Sequence, residues 1–260
     1  MMLIEDTFRP RPLERWHATQ VGGGRLVLHS DGLRLLTAGA RRVAYADAQI
    51  DDYAGRARRR FDWRPPLRLT VRARASGPLA GTAGFGFWNN PFSPLGGAPA
   101  LPSAIWFFFA SPPSDMPLAQ GVPGHGWKAA CIDATRPAAL AWAPLALPVL
   151  ALNQAPALYQ RIWPHVQRGL RVAEAPIAPL AQRWREYTIE WRVETARFLV
   201  DGRAVLETDR PPRGPLGFVA WVDNQWMVAT PRGRFGWGLL DTPAQWLDLA
   251  ELRVERLPQG

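Results

Sequence analysis

The chain has one cysteine, Cys131, in 260 residues. That excludes an internal disulfide, and nothing in the sequence requires an oxidising compartment. Lysine is as scarce. Lys128 stands alone, so the formal charge of +9 is carried almost wholly by arginine. The N-terminus Met1-Met2-Leu3-Ile4-Glu5-Asp6 puts acids where an export signal needs bases, and no apolar core of adequate length follows. This predicts a cytoplasmic protein. No Gly-x-Ser-x-Gly elbow is present, and Gly22-Gly23-Gly24 lacks the Lys-Ser/Thr of a phosphate-binding loop. His and Cys spacing gives no zinc motif, and Asp and Asn do not cluster at calcium-ligand spacing. No metal or cofactor is expected. Helix-turn-helix, zinc-finger and RNA-recognition signatures are missing too. Apart from Arg56, Arg58, Arg59 and Arg60, the arginines sit singly on alternating positions, as in Leu67 to Arg74. That is the look of solvated strand faces, so no nucleic-acid partner is expected.

Aromatic residues are what the chain has. Thirteen Trp and eleven Phe recur at alternate positions in short runs. The clearest runs are Phe85 to Trp88, Ile105 to Phe109, and Phe218 to Trp226. A strand sends successive side chains to opposite faces. Each run can therefore put one aromatic set into a core and another onto a groove.

Alternation also marks Arg25–His29 and Gly32–Leu36 around Ser30-Asp31, a hairpin-type turn. It recurs over 67–75, 186–193, 247–257, and on both sides of Asp201-Gly202. Strands at 82–88 and 104–110 read as buried, and 217–222 continues the strand pattern. About a dozen short strands with Gly/Pro punctuation predict an all-β, two-sheet antiparallel sandwich spanning 1–260 as one domain.

One segment departs from this pattern. Residues 137–160 carry no charge. Pro144, Pro148, Pro156 and the Asn153-Gln154 pair argue against a membrane span. Asn153 is a candidate helix cap, with Leu158, Ile162, Val166 and Leu170 four apart on one face and Pro164 set to kink or end the helix. A partly helical apolar insertion is expected near 134–182. It is read as a packing element, a lid over the groove, or a membrane-surface contact.

Trp184-Arg185-Glu186-Tyr187-Thr188-Ile189-Glu190-Trp191, followed by Phe198-Leu199-Val200-Asp201-Gly202, resembles the concanavalin A-like jelly rolls. That superfamily includes legume-type lectins, laminin-G-like modules and family 16 glycoside hydrolases. Leu216 to Asn224 resembles their next concave-sheet strand, and Trp246-Leu247-Asp248-Leu249 their last strand. The likeness covers roughly 184–257 and reaches loosely to Gly81–Trp88. It implies a jelly-roll sandwich. Family 16 hydrolases place Glu-x-Asp-x-Glu on one concave strand after the Trp-bearing strand. The corresponding run here, Ala104 to Ala110, has no carboxylate. Retaining hydrolysis needs two carboxyl groups about 5 Å apart, so retaining glycosidase activity by that mechanism is not expected.

Candidate site residues follow from position. Trp88, Asn89, Trp106, Phe108, Trp221, Asn224 and Trp226 are expected to line the groove. Asp223 sits between tryptophans at a strand end and is the candidate acid. His125, in Gly124-His125-Gly126-Trp127-Lys128, is a second candidate proton carrier, although a flexible loop explains it as well. Asp51 and Asp52, of which at most one can face a site, read as solvated acids or as acids paired with arginines of the Arg56–Arg60 cluster. Three functions stay open. One is binding, with acid–base isomerisation, cyclisation or hydration, of an apolar or amphipathic small molecule in the aromatic groove. The second is a non-hydrolytic carbohydrate-binding module. The third is a structural domain that docks a partner or membrane surface through the insertion.

Overall fold

The alternating runs close into two antiparallel sheets packed face to face. The computed structural model describes residues 1–91 and 100–258. Numbered along the chain, sheet A runs β13 (Arg203–Thr208), β12 (Ala196–Val200), β11 (Arg185–Trp191), β6 (Leu67–Ala75), β17 (Thr242–Arg256), β4 (Gly32–Ala40), β3 (Gly24–His29). Strand β1 (Met2–Asp6) pairs with the far half of β17, where β4 has ended. Sheet B runs β10 (Ala173–Pro176), β9 (Gly126–Asp133), β8 (Ser103–Ala110), β7 (Thr82–Trp88), β14 (Gly217–Asp223), β5 (Asp47–Asp51), β2 (His17–Val21). A separate hairpin, β15 (Gln225–Ala229) and β16 (Phe235–Leu239), rises from the end of β14. The predicted jelly-roll sandwich is the architecture found.

Both predicted turns hold. His29 pairs with Gly32, and Val200 with Arg203. Asp201 and Gly202 have φ of 50° and 74°, the pair of positive angles a two-residue hairpin turn needs.

The core lies between the sheets and takes one aromatic set. Phe85, Phe87, Phe107 and Phe218 point inward from sheet B and are fully buried, as are Tyr187, Trp191 and Phe198 from sheet A. Rings interlock across the gap. Phe107 meets Phe198 edge-on at 5.5 Å, and Phe87 meets Trp191 at 5.7 Å. A bulge between Leu249 and Glu251 shifts the phase of β17, so Leu247 and Leu249, then Leu252 and Val254, all face the core.

The outer face of sheet A holds a ladder of alternating charge and indole. Arg34 lies over Trp246 at 4.0 Å and Arg74 over Trp184 at 4.4 Å. Both guanidiniums bond Asp248, which is 0% exposed.

The insertion forms three helices, α1 (Pro137–Leu140), α2 (Ala146–Leu152) and α3 (Pro156–Gly169), and β10 then returns to the edge of sheet B. Asn153 does not cap α3. It ends α2, and its amide donates to Pro231 O at 2.8 Å. Helix α3 continues through Pro164. Its buried face centres on Trp163 and Val166, so Leu158, expected inside, is exposed. Trp163 Nε1 donates to Leu118 O, and Arg232 Nε to Asn153 O. The helices thus pack on the 115–124 loop and the turn of the β15–β16 hairpin. Among the described residues, these hydrogen bonds hold the helices away from Trp106, Phe108 and Trp221. No described helix is long and apolar enough to cross a membrane.

Candidate functional site

The outer face of sheet B takes the second aromatic set, and strand register arranges it in rows. Val219 of β14 faces Asp51 of β5 on one side and Gly86 of β7 on the other. Gly86 faces Trp106 of β8. In the next row Gln49, Trp221, Gly84, Phe108 and Lys128 stand side by side across five strands. The third row begins Asp47, Asp223 and continues through Ala110 to Gly126, with Thr82 N donating to Asp223 Oδ1 at 3.0 Å.

The tryptophans lie flat because β7 alternates phenylalanine inward with glycine outward. A Cβ on Gly84 would stand 2.8 Å from the Trp221 ring, and one on Gly86 would stand 2.6 Å from Trp106 Cβ. Both approaches are too close for any side chain. The indoles therefore roof the glycines and touch one another. Trp106 is 5.4 Å from Trp221, 5.9 Å from Trp88, and stacks on Phe108 at 5.3 Å. Tyr53 and Phe61 complete the cluster. The Tyr53 hydroxyl accepts from Trp88 Nε1 at 2.6 Å.

This platform lies on the outer face of sheet B, between two ends. At one end Lys128 and Glu174, paired at 3.3 Å, are sealed beneath the 116–119 loop. Lys128 also donates to Met116 O, and Ala119 N donates to Glu174. The other end runs out at the half-buried Thr19 and Gln49 of β2 and β5. The β15–β16 hairpin rises where β14 stops.

The polar groups concentrate at the hairpin side. Asp223 is 5% exposed and accepts from Thr82 N, Thr82 Oγ1 and Gln225 N, all at Oδ1. Among the described residues its Oδ2 accepts no bond. Thr82 Oγ1 also accepts from Trp221 Nε1, which ties the carboxyl to the platform. Asp47 lies directly opposite on β5, 4% exposed, with Oδ1 buried and unpartnered. Burial pushes both carboxyls up, Asp47 to about 8 and Asp223 to about 6. The Asp223 charge raises Asp47 further, against the neighbouring Tyr45 hydroxyl, which lowers it.

Trp88, Trp106, Phe108 and Trp221, four of the residues expected in the groove, are thus brought together, with Asp223 beside them. The others lie elsewhere. Asn89 is turned into the loop, bonding Leu101 O and Ser103 N. Asn224 is 0% exposed and fully spent on Ala46 N and the carbonyls of Arg41, Ala44 and Leu240. Both are structural braces. Trp226 lies on the hairpin, its ring across Gly236 and Gly238, without a ring contact to the sheet cluster among the described residues. His125 is exposed and without a hydrogen bond among the described residues. The Trp127 and Lys128 that follow it are buried in β9, not in a flexible loop. Asp51 and Asp52 are buried rather than solvated. Asp51 accepts from Gln49 Nε2, Tyr53 N and Ala54 N, and Asp52 from Trp63 Nε1 and Phe218 N. Asp52 does have an arginine partner, Arg15 at 3.4 Å, which lies outside the expected cluster, and Arg56 pairs with Asp62. Phe92, at the end of the Trp88–Phe92 turn, is outside the described residues.

Sequence reasoning missed Asp47, Tyr45 and Thr82. The signal was present in Asp47-x-Gln49-x-Asp51, polar residues at every second position, but β5 is too short and polar to stand out as a strand. The outward positions of β8 are Ala104, Trp106, Phe108 and Ala110, so the strand expected to lack carboxylates presents rings. The acids of this face come from the neighbouring pair β5 and β14. No group of three His, Cys, Asp or Glu among the described residues is placed to hold a metal ion.

No family model and no curated protein matches the chain. Solved structures do. The chain superposes on a pseudo β-1,3-glucanase of Mycobacterium tuberculosis with a TM-score of 0.57 at 11% identity, covering 99% of each chain. The β-glucanase of Bacillus licheniformis gives 0.52 at 10% identity, over 98% of each. The exoplasmic/lumenal domain of VIP36, solved with calcium and Man3GlcNAc, gives 0.53 at 14%, over 98% of this chain and 89% of that one. At such identities the likeness is one of fold. The chain has the concanavalin A-like jelly-roll fold, and the jelly rolls named here are two glucanase-type proteins and one sugar-bound domain.

Proposed function

We propose that the chain binds carbohydrate on the outer face of sheet B. The observation that carries this reading is the composition of that face. Flat indole and phenyl faces adjoin a row of hydrogen-bonding groups on the same surface. A sugar ring has apolar C–H faces and a rim of hydroxyls, so it satisfies both at once. A wholly apolar ligand would strip water from the half-buried Gln49 without replacing its hydrogen bonds, at a cost of about 1–3 kcal/mol. The jelly-roll neighbours that act on or bind glycans support the same reading. Trp106 Nε1 and Asp223 Oδ2 are free for ligand hydroxyls, since neither has a protein partner among the described residues.

The test is titration calorimetry against neutral and charged oligosaccharides, on the wild type and on Trp106→Ala. The reading expects binding that Trp106→Ala weakens at least tenfold, the ~1–3 kcal/mol that a stacked ring contributes. Binding unaffected by removal of the ring would refute it.

A further inference from the structure

The carboxyl pair at the platform's hairpin side is the least explained feature of the molecule. Asp47 and Asp223 occupy directly opposite positions, where antiparallel Cβ atoms stand about 4.5–5.5 Å apart. No Lys, Arg or His pairs with either among the described residues. The groups facing them are Tyr45 from the segment before β5, Asp51 on β5, Thr82 on β7 and Gln225 on β15, none of them cationic. His17 Nδ1 lies 3.5 Å from Asp51 Oδ2, on the neighbouring strand and away from the pair. Two buried like charges without a counter-charge lower stability, so packing alone gives no reason to keep them.

We infer that Asp47 and Asp223, with the Trp221 face beside them, form the seat for an ammonium group, and that the platform takes a glycan bearing free amines. This rests on the carbohydrate reading and names its ligand class. An ammonium has three donors and no acceptor. The pair supplies acceptors that the protein leaves unused, Asp47 Oδ1 and Asp223 Oδ2. Trp221 precedes Asp223 by two residues on the same face, about 7 Å along the strand. A sugar ring stacked on Trp221 therefore carries its substituents to the carboxyls, and the indole adds attraction for the cation. The empty seat holds a proton near neutral pH. An arriving ammonium takes the place of that proton, so binding releases it.

The experiment compares three β-1,4-linked tetrasaccharides by calorimetry at pH 6.5: glucosamine, N-acetylglucosamine and glucose oligomers. Two buffers of different ionisation enthalpy count the protons released. The expected result is at least tenfold tighter binding of the glucosamine oligomer, with proton release seen only for that ligand. Asp47→Asn and Asp223→Asn should each abolish the preference, and Asp47→Asn should leave binding of the neutral oligomers in place. Equal affinity for all three, or a preference that survives both substitutions, overturns the amine seat alone. If none of the three binds, the carbohydrate reading falls and the seat with it.

Discussion

Asp47 offers a test that needs no ligand. Its carboxyl rises from 3.8 to about 8 on folding, so the folded state holds the proton more tightly than the unfolded chain does. The stability it contributes is complete below pH 3.8 and is lost as pH climbs to about 8. Between pH 5 and pH 8 the ceiling on that loss is ~4 kcal/mol, at ~1.4 kcal/mol per pH unit. Relaxation and water entry should reduce it to roughly 2 kcal/mol. Asp47→Asn keeps the shape and removes the ionisation. It also places an amide donor opposite Asp223. The assay is thermal unfolding of both proteins at pH 5 and pH 8.5. The difference between them reports Asp47 together with its coupling to Asp223, whose carboxyl, raised to about 6, titrates in the same range. The melting temperature of Asp47→Asn relative to wild type should rise by about 4–8 °C from the lower pH to the higher. A difference that stays constant across this range would refute the buried, cation-free pair.

Gly84→Ala should destabilise by about 1–3 kcal/mol in urea and shift tryptophan fluorescence, because its Cβ would meet Trp221 and Phe107 O. Asp248→Ala, which strands Arg34 and Arg74, should cost about 3–5 kcal/mol by chemical denaturation without altering glycan binding. Lys128→Met alone should cost a similar ~3–5 kcal/mol by leaving Glu174 buried and unpaired, and adding Glu174→Leu should recover most of it.

How much of this was legible in the sequence depended on how loudly each strand alternated. Strands β6, β7, β8, β11 and β14 announce themselves through long apolar or aromatic alternation, and the two-residue turns at Ser30-Asp31 and Asp201-Gly202 pair β3 with β4 and β12 with β13. Strands β2, β5 and β10 are short and polar. They owe their existence to neighbours far along the chain, which no local pattern reveals. The same limit governed the site. Trp106, Phe108 and Trp221 could be placed on one face because alternation is local. The Asp47–Asp223 pair could not, since 176 residues separate partners that only the β5–β14 register joins. Asn89 and Asn224 looked like ligand contacts by residue type. Their burial and bonding to backbone assign them to holding loops, a role visible only in three dimensions.

The central claim is that the outer face of sheet B is where a glycan sits. A crystal structure with a bound oligosaccharide tests it most directly. The sugar should lie across Trp221, Trp106 and Phe108 with a substituent reaching Asp223. A sugar bound instead over the Arg34–Trp246 ladder of sheet A, or against the apolar helices with the platform empty, would contradict it.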